Sequence, residues 1–450
     1  MARSRRPFGF NLLAFISGNF GLAVAGRQTA ALLLEGHFPL SIRDVDTHDA
    51  RSGQEHLYDD LLVKAPWALR YGITIFHVNP PEVESNMALE WQLMPIEKCM
   101  NVAVPFWELP TLPETWRRIL SSMDVVLAPT RYILTTIESE LPDVRVLHYP
   151  QAVAAPAGAV SSRERFGIPP ERTVFLSAFD MASDIHRKNP WSAVEAFERA
   201  FDRNDPVMLI VKVNNVGLWP QSAPLRKRLY AVASSNPNIT IIDRAMSYSE
   251  VMCLYASCDV FVSLHRAEGL GLILMEMMSL GKPVIATAWS GNMDFMTERN
   301  SCLVGYEMVP IEASYSAYHQ ESLRAAGQWA DANIDEAAAF MRRCADKPAY
   351  RERLGKEAAA DMRKRCRSVE RVETFVRLKE IYDTGEYLIG HAERSAGLSA
   401  CRRLWLRVLR ERIVRTAVSP AISVAKRILR PLAPALRPLW RRMKRSRQHS

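Results

Sequence analysis

The stretch that decides the fold runs from Asp259 to Thr287 and reads DVFVSLHRAEGLGLILMEMMSLGKPVIAT. Asp259–Leu264 is a short apolar run typical of a buried parallel strand, and Pro283–Thr287 has the same character. Between them lie a polar loop, two glycines and the helical run Leu272–Leu280, which Gly281 ends. This order of strand, glycine turn, helix and strand places the turn at the carboxyl edge of a parallel sheet, where open α/β sheets bind ligands.

Two carboxylates frame the glycine turn, Glu268 before the glycines and Glu276 within the helix. The glycines allow close backbone approach, and the free N–H groups of the helix start suit a phosphate. Carboxylate oxygens are good partners for sugar hydroxyls. A pair of Glu at this spacing is common by chance, so a solvated loop Glu and a helix-surface Glu explain the bare pattern equally well.

The run from Glu268 to Glu276, followed by GKPVIAT at 281–287, closely resembles the signature of the retaining family 4 glycosyltransferases, which have the GT-B fold. The resemblance covers residues 8–388 and is densest from 173 to 306. It implies that Glu268 contacts hydroxyls of the donor sugar and that Glu276 holds the ribose of the nucleotide. It also implies that four residues face the diphosphate: Gly269, Leu270, Gly271 and Leu272.

The rest of the chain repeats the strand and helix alternation and predicts an α/β protein with two doubly wound, Rossmann-like domains. The resemblance implies that they face a central cleft, with 1–165 as the acceptor-side domain and 166–368 as the nucleotide-sugar-binding domain. Residues 369–392 would then be the helix that crosses back to the first domain, and 393–450 a basic amphipathic tail. We predict six strands in each domain and a mostly helical chain from 316 to 386.

The segment Arg187-Lys188-Asn189-Pro190 follows the first strand of the second domain. Asn189 is a good N-cap and Pro190 suits the first helical position, so we expect Lys188 at a helix N-terminus, where a cation favours a diphosphate. A solvated loop charge is the commoner role for such a lysine. The resemblance assigns the diphosphate-binding lysine of the family to Lys188. The family arginine has no counterpart at Phe179–Met181, so whether Arg187 replaces it stays open.

In the first domain, Gly18 and Gly21 form the turn after the first predicted strand, where a ligand could lie, although a purely structural turn is the default. His77 ends the third predicted strand, and a hydrogen-bonded structural role is the commoner case for a lone His. The resemblance implies a functional His on this loop, close to where donor and acceptor meet. The segment Phe106–Pro110 also resembles one found in relatives, and we expect its aromatic side chains to serve packing first and acceptor contact second.

The net charge of +9 is concentrated at the carboxyl end. Residues 391–450 carry 16 Lys and Arg against 2 Glu, a local charge of +14, so the preceding 390 residues carry −5. Basic residues mixed with Trp and Leu suit an anionic membrane surface, and we expect residues 395–450 to bind one. A disordered solubilising tail and a nucleic-acid tether are the competing interpretations, and nucleic acid is the less favoured partner.

No apolar run approaches the length of a membrane-spanning helix. The 7 Cys show no metal-ligand spacing and fit a reducing compartment. A strand and glycine turn explain the start of the chain better than a signal peptide does. We therefore expect a cytoplasmic protein, peripheral on the cytoplasmic face of a membrane.

The resemblance implies a retaining glycosyltransferase that moves a hexose from a nucleotide sugar to a glycan or lipid-linked glycan, as in polysaccharide biosynthesis. The predicted catalytic residues are Glu268, Lys188 and His77. The predicted donor-binding residues are Glu276, Gly269, Leu270, Gly271, Leu272, Arg187, Gly18 and Gly21. Because no Asp-x-Asp motif stands where the family would need one, we expect no metal, and no cofactor apart from the UDP- or GDP-linked donor. The alternatives are a non-catalytic protein of the same fold, tethered by its tail, and a sugar-nucleotide epimerase, which needs no acceptor.

Overall fold

The computed structural model describes residues 5–46, 55–80, 96–156, 158–181, 183–215, 223–312 and 327–397. Within them, six strands form a first parallel sheet in the order β2-β1-β3-β4-β5-β6. These strands are β1 Phe10–Ala14, β2 Leu40–Asp44, β3 Ile73–His77, β4 Met100–Ala103, β5 Val125–Ala128 and β6 Val146–His148. The helices of this half are Gly21–Glu35, Glu114–Leu120 and Arg131–Glu140. Every residue of β1, β3, β4 and β5 is buried, as expected for a parallel sheet covered on both faces.

Six further strands of the described chain form a second parallel sheet, in the order β12-β11-β10-β7-β8-β9. They are β7 Thr173–Asp180, β8 Val207–Asn214, β9 Ile239–Ile242, β10 Val260–Ser263, β11 Val284–Thr287 and β12 Cys302–Val304. The helices are Ile185–Lys188, Pro190–Ala200, Ala223–Ser235, Tyr248–Ser257 and Leu272–Ser279.

The strand order of each sheet reverses at one point, between β1 and β3 in the first sheet and between β7 and β10 in the second. In open α/β sheets the crevice at such a switch point is where ligands bind. The loops that leave β7 and β10 are the ones that carry Lys188 and Glu268. The topology therefore brings together two segments that are 80 residues apart in the chain.

Residues 316–326 of the stretch 316–386, which was predicted to be mostly helical, lie outside the described residues, and the rest is mostly helical apart from one short strand. Gln328–Ala332 is a strand, β14, which pairs antiparallel with β13, Tyr306–Pro310. Trp329 on β14 is buried, so the apolar side chains of this short strand contribute to the core instead of forming a helix face. The helices Ile334–Asp346, Pro348–Cys366 and Glu370–Thr384 follow.

The helix Glu370–Thr384 packs against the first sheet. The ring of Phe375 meets the rings of Phe10 and Tyr149 edge to face, at 5.7 and 5.3 Å between centroids. The hydroxyl of Tyr382 donates to the carbonyl of Arg6 at 2.6 Å. These contacts join the end of the second half of the chain to the first strand of the first half.

The described chain continues into a helical segment at 391–397, which lies against the first domain. His391 Nδ1 lies 2.9 Å from an oxygen of the buried Asp124, and Arg394 Nε donates to the same oxygen at 2.9 Å. The packed part of the chain thus extends through Gly397, past the predicted start of the tail at 393. Residues 398–450 lie outside the described residues, and with them almost all of the predicted membrane-binding segment. Among the described helices, none has the length and apolar character needed to cross a bilayer.

Candidate functional site

A cavity of about 330 Å³ lies between the two sheets, at their switch points. Its wall in the first domain includes Phe15, Asn19, Phe20, Gly21, Phe106 and Glu108. Its wall in the second domain includes Lys188, Lys212, Tyr248, Glu268, Gly271 and Glu276. In the part of the chain that the structure describes, no group of three or more His, Cys, Asp or Glu is placed to hold a metal ion.

The predicted glycine turn is fixed by its own backbone and by the first domain. Gly271 has φ +88° and precedes the helix Leu272–Ser279, a conformation that strains any residue with a side chain. A Cβ added to Gly269 would lie 2.8 Å from the carbonyl oxygen of Trp107, so the second domain approaches the first too closely for a larger residue. The hydroxyl of Thr130 donates to the Gly269 carbonyl at 3.1 Å. Gly271 is therefore required by the conformation of the turn, and Gly269 by the close approach of the two domains.

A second contact between the domains lies beside this turn. The backbone N–H of Arg131, at the start of the helix Arg131–Glu140, donates to both carboxylate oxygens of Asp294, at 2.9 and 3.1 Å. A carboxylate at a helix N-terminus is stabilised by the unpaired N–H groups there. Asp294 belongs to the segment that follows β11, so it ties the wall that the second domain contributes to the cavity to the first domain.

Glu268 is the centre of a buried cluster of charges. Lys188 Nζ donates to its Oε2, and Arg187 Nη1 lies 3.5 Å from the same oxygen. Arg187 Nη2 also lies 3.3 Å from Oε1 of Glu108, which belongs to the first domain. Burial alone would raise the pKa of Glu268, but the positive charges of Lys188 and Arg187 lower it to about 2. Glu268 is therefore ionised at any working pH and can accept hydrogen bonds from sugar hydroxyls.

Glu276 lies at the other side of the glycine turn in a different environment. The hydroxyl of Tyr248 donates to its Oε1 at 2.9 Å. Burial raises the pKa of Glu276 to about 7, an effect only partly offset by this hydrogen bond and by the charge of Arg27. One carboxylate oxygen is thus held by Tyr248, while the carboxyl group as a whole titrates near neutral pH.

The structure corrects the prediction that the Asn189 side chain caps a helix. Lys188 is the last residue of the one-turn helix Ile185–Lys188, whose N-cap is Asp184. Asn189 has φ +47° and joins this turn to the helix Pro190–Ala200. Its side-chain nitrogen donates to Ser192 Oγ at 2.7 Å instead of accepting a backbone N–H. The backbone between the two successive helices needs the αL conformation, which Asn tolerates. This conformation, and not side-chain capping, explains why Asn is present at position 189.

His77 and Gly18 are not among the described residues that line the cavity. His77 is fully buried beside Phe106, and its Nε2 lies 3.0 Å from Nε2 of Gln151. Burial lowers the pKa of His77 to about 4, so the imidazole is neutral at physiological pH. The Gly18 carbonyl accepts a hydrogen bond from Arg27 at 2.7 Å, whereas Gly21 does line the cavity, opposite Leu272. A catalytic role for His77 stays a prediction.

Glu108, Tyr248 and Lys212 are among the polar residues of the cavity that were not predicted from the sequence. Lys212 is 2% exposed, and its Nζ donates to the carbonyls of Val213 and Arg244 at 2.8 and 3.2 Å. Burial lowers its pKa to about 8. A lysine inside the apolar strand VMLIVKVN was the signal that could have revealed it, because a charge in a buried strand needs partners at its end.

Part of the chain matches a known protein family. Residues 161–307 match the family model described as glycosyl transferases group 1, a segment that contains Lys188, Glu268 and Glu276. No curated protein matches the chain.

Several solved structures share the fold at low sequence identity. Sucrose-phosphate synthase from Thermosynechococcus elongatus superposes with a TM-score of 0.59 at 14% identity, over 85% of this chain and 100% of that one. HepE from Anabaena, solved with UDP and glucose, gives 0.56 at 13% identity, over 82% and 99%. The alpha,alpha-trehalose 6-phosphate synthase from Burkholderia multivorans gives 0.56 at 14% identity, over 84% and 98%. The predicted fold is confirmed: the chain has the GT-B architecture, and its residues 161–307 match the family model of the glycosyl transferases group 1.

Proposed function

We propose that the protein transfers a hexose from a nucleotide sugar to a hydroxyl of a glycan or lipid-linked glycan, with retention of configuration and without a metal ion. The observation that carries this proposal is the arrangement around one glycine turn. Glu268 lies on one side with Lys188 and Arg187, and Glu276 lies on the other with Tyr248. The placement of the two carboxylates on opposite sides of the turn suits a donor whose ribose contacts Glu276 and whose transferred sugar contacts Glu268. The structure of HepE with UDP and glucose supports a UDP-linked donor.

The chemistry requires stabilisation of a departing nucleoside diphosphate. In the reaction, the bond from the anomeric carbon to the diphosphate oxygen breaks, and its electron pair leaves with the diphosphate. The acceptor oxygen forms the new bond to that carbon, and its proton passes to the departing phosphate. Lys188, Arg187 and the N–H groups at the start of the helix Leu272–Ser279 would stabilise the growing negative charge. Both cations already contact Glu268, so a bound diphosphate would share them and leave Glu268 oxygens for the sugar hydroxyls.

A donor screen followed by product analysis tests the proposal. Thermal shift with UDP-, GDP- and ADP-sugars should identify one nucleotide that raises the melting temperature. That donor should then release nucleoside diphosphate, faster when an acceptor is present, and the linkage formed should keep the anomeric configuration of the donor in NMR spectra. Activity should persist in EDTA. Conversion of the donor to another sugar nucleotide without acceptor would identify an epimerase, and binding without turnover would identify a non-catalytic protein.

We also propose that the tail, residues 395–450, binds an anionic membrane surface. The support is its composition, since the segment 391–450 carries a charge of +14 beside a body of −5. Vesicles of phosphatidylserine and phosphatidylcholine should co-sediment with the full chain, less strongly at high salt, and not with a chain that ends after Gly397. Equal sedimentation of both forms would contradict the proposal. Salt-sensitive binding of the full chain to RNA, without vesicle binding, would favour a nucleic-acid tether instead.

A further inference from the structure

Among the described residues, the wall that the first domain contributes to the cavity contains one carboxylate, Glu108, beside the aromatic side chains of Phe15, Phe20 and Phe106. We propose that Glu108 contacts the acceptor and selects neutral, hydroxyl-bearing sugars over phosphorylated ones. This inference rests on the proposed function, because it assumes that the donor occupies the wall of the second domain. It adds to that function the class of acceptor and the residue that determines it.

The backbone around Glu108 is held from three sides. The N–H of Phe106 donates to the side-chain oxygen of Asn79 at 2.8 Å, and the hydroxyl of Tyr132 donates to the carbonyl of Glu108 at 3.1 Å. The carbonyl of Trp107 lies directly against Gly269 of the other domain. These contacts leave the Glu108 side chain at a defined place in the cavity, next to the glycine turn. The side chain is only 12% exposed.

A single guanidinium connects Glu108 to the proposed sugar site. Arg187 Nη2 lies 3.3 Å from Glu108 Oε1, and Arg187 Nη1 lies 3.5 Å from Glu268 Oε2. The two carboxylates therefore flank one arginine, one from each domain. If the donor sugar contacts Glu268, Glu108 is a carboxylate of the first domain that lies beside the place where an acceptor would reach the anomeric carbon.

The charge of Glu108 decides which acceptors can bind there. An ionised carboxylate accepts hydrogen bonds from hydroxyl groups, and the neighbouring Phe rings offer an apolar surface to the faces of a sugar ring. A phosphate brought to the same place meets the like charge of a carboxylate that is only 12% exposed, so water screens the repulsion less than at the surface. The wall of the first domain thus favours a neutral sugar hydroxyl and opposes a phosphorylated acceptor.

Saturation-transfer NMR on the full chain, saturated with UDP, tests the inference with named probes. The probes are the methyl α-glycosides of glucose, galactose and mannose, and glucose 6-phosphate. We expect the wild-type protein to bind at least one methyl glycoside more tightly than glucose 6-phosphate. Glu108→Ala should weaken that binding about tenfold, the loss expected for a hydrogen bond to a charged group. Glu108→Gln should bind glucose 6-phosphate more tightly than the wild type does, because the like charge is gone and Arg187 loses one anionic partner.

Nucleotide affinity separates this role from a merely structural one. UDP should bind the Glu108 variants as tightly as the wild type or more tightly, whereas a damaged fold would weaken it. Glu138→Gln, at an exposed position on the helix Arg131–Glu140, is the matched control and should change neither probe. Provided that UDP still binds, three outcomes would each overturn the inference. They are a preference of the wild type for glucose 6-phosphate, no binding of any methyl glycoside, and probe affinities that Glu108→Ala does not change. Failure of UDP, GDP and ADP to bind the wild type would refute the proposed function itself, and the inference with it.

Discussion

Replacing Glu276 by Gln should stabilise the protein at alkaline pH while weakening nucleotide binding. Burial raises the pKa of this carboxyl from an ordinary value of 4.5 to about 7. Between pH 4.5 and 7 the folded state therefore holds a proton on Glu276 that the unfolded state has lost. The free energy of unfolding falls as pH rises through this range. At about 1.4 kcal/mol for each pH unit, this difference corresponds to about 3 kcal/mol lost above pH 7. Gln keeps the oxygen that accepts from Tyr248 and carries no charge, so the variant does not suffer this loss.

Urea denaturation of wild type and Glu276→Gln at a series of pH values measures the effect. The free energy of unfolding of the variant minus that of the wild type should grow by about 3 kcal/mol between acid pH, below the ordinary pKa of Glu, and alkaline pH. Glu298→Gln, at an exposed position, is the matched control and should show no such growth. UDP affinity of Glu276→Gln should fall about tenfold, because the charged partner that we propose for the ribose is lost. A stability difference that is the same at every pH would refute the reasoning about burial.

Three further predictions concern the charge cluster and the docked carboxyl end. Lys188→Ala should lower donor affinity and turnover together, because it removes a buried cation from both the ground state and the transition state. The loss in kcat/KM should correspond to about 2–4 kcal/mol. Kinetic constants within threefold of wild type would exclude this role. Glu268→Ala should reduce turnover far more than UDP affinity, and calorimetric titration that shows equal losses for both would contradict its assignment to the sugar. Asp124→Asn should loosen residues 391–397. Burial lowers the pKa of His391, but the hydrogen bond with Asp124 outweighs it and raises that pKa above its ordinary value of 6.5. The stability that this pair gives the wild type is therefore present below pH 6.5 and is lost as pH rises through the raised pKa. Unfolding measured across that range should be pH-dependent in the wild type and flatter in the variant, and identical curves would argue against the pair.

The sequence predicted the parts of the site that depend on local structure. Gly269, Gly271 and the two carboxylates around them lie within nine residues, so one strand, turn and helix place them all. Lys188 was predicted from the loop after β7, and β7 lies next to β10, so both loops leave neighbouring strands. Local pattern and parallel-sheet topology were enough for these residues.

The parts that the sequence did not predict depend on contacts between distant segments. Glu108 reaches the cavity only because Trp107 lies against Gly269, and no local pattern encodes that approach. Tyr248 follows an N-cap serine in an ordinary helix start, and its hydrogen bond to Glu276 arises from the packing of two helices. The strand Gln328–Ala332 is stabilised by pairing with Tyr306–Pro310, which a short apolar run cannot reveal alone.

The contacts of Thr130 with Gly269 and of Arg131 with Asp294 limit the exchange of whole domains between such proteins, in engineering or in evolution. The glycine turn, which we propose binds the donor, is completed by the neighbouring domain, so the two halves are not interchangeable modules. A chimera that takes its first half from a relative, in order to change the acceptor, would also replace the surface against which the glycine turn is formed. Such a chimera should retain donor affinity only if the incoming half supplies a hydroxyl at the Thr130 position and a free helix N-terminus opposite Asp294. Acceptor specificity can therefore change by substitution within the wall more readily than by exchange of whole domains.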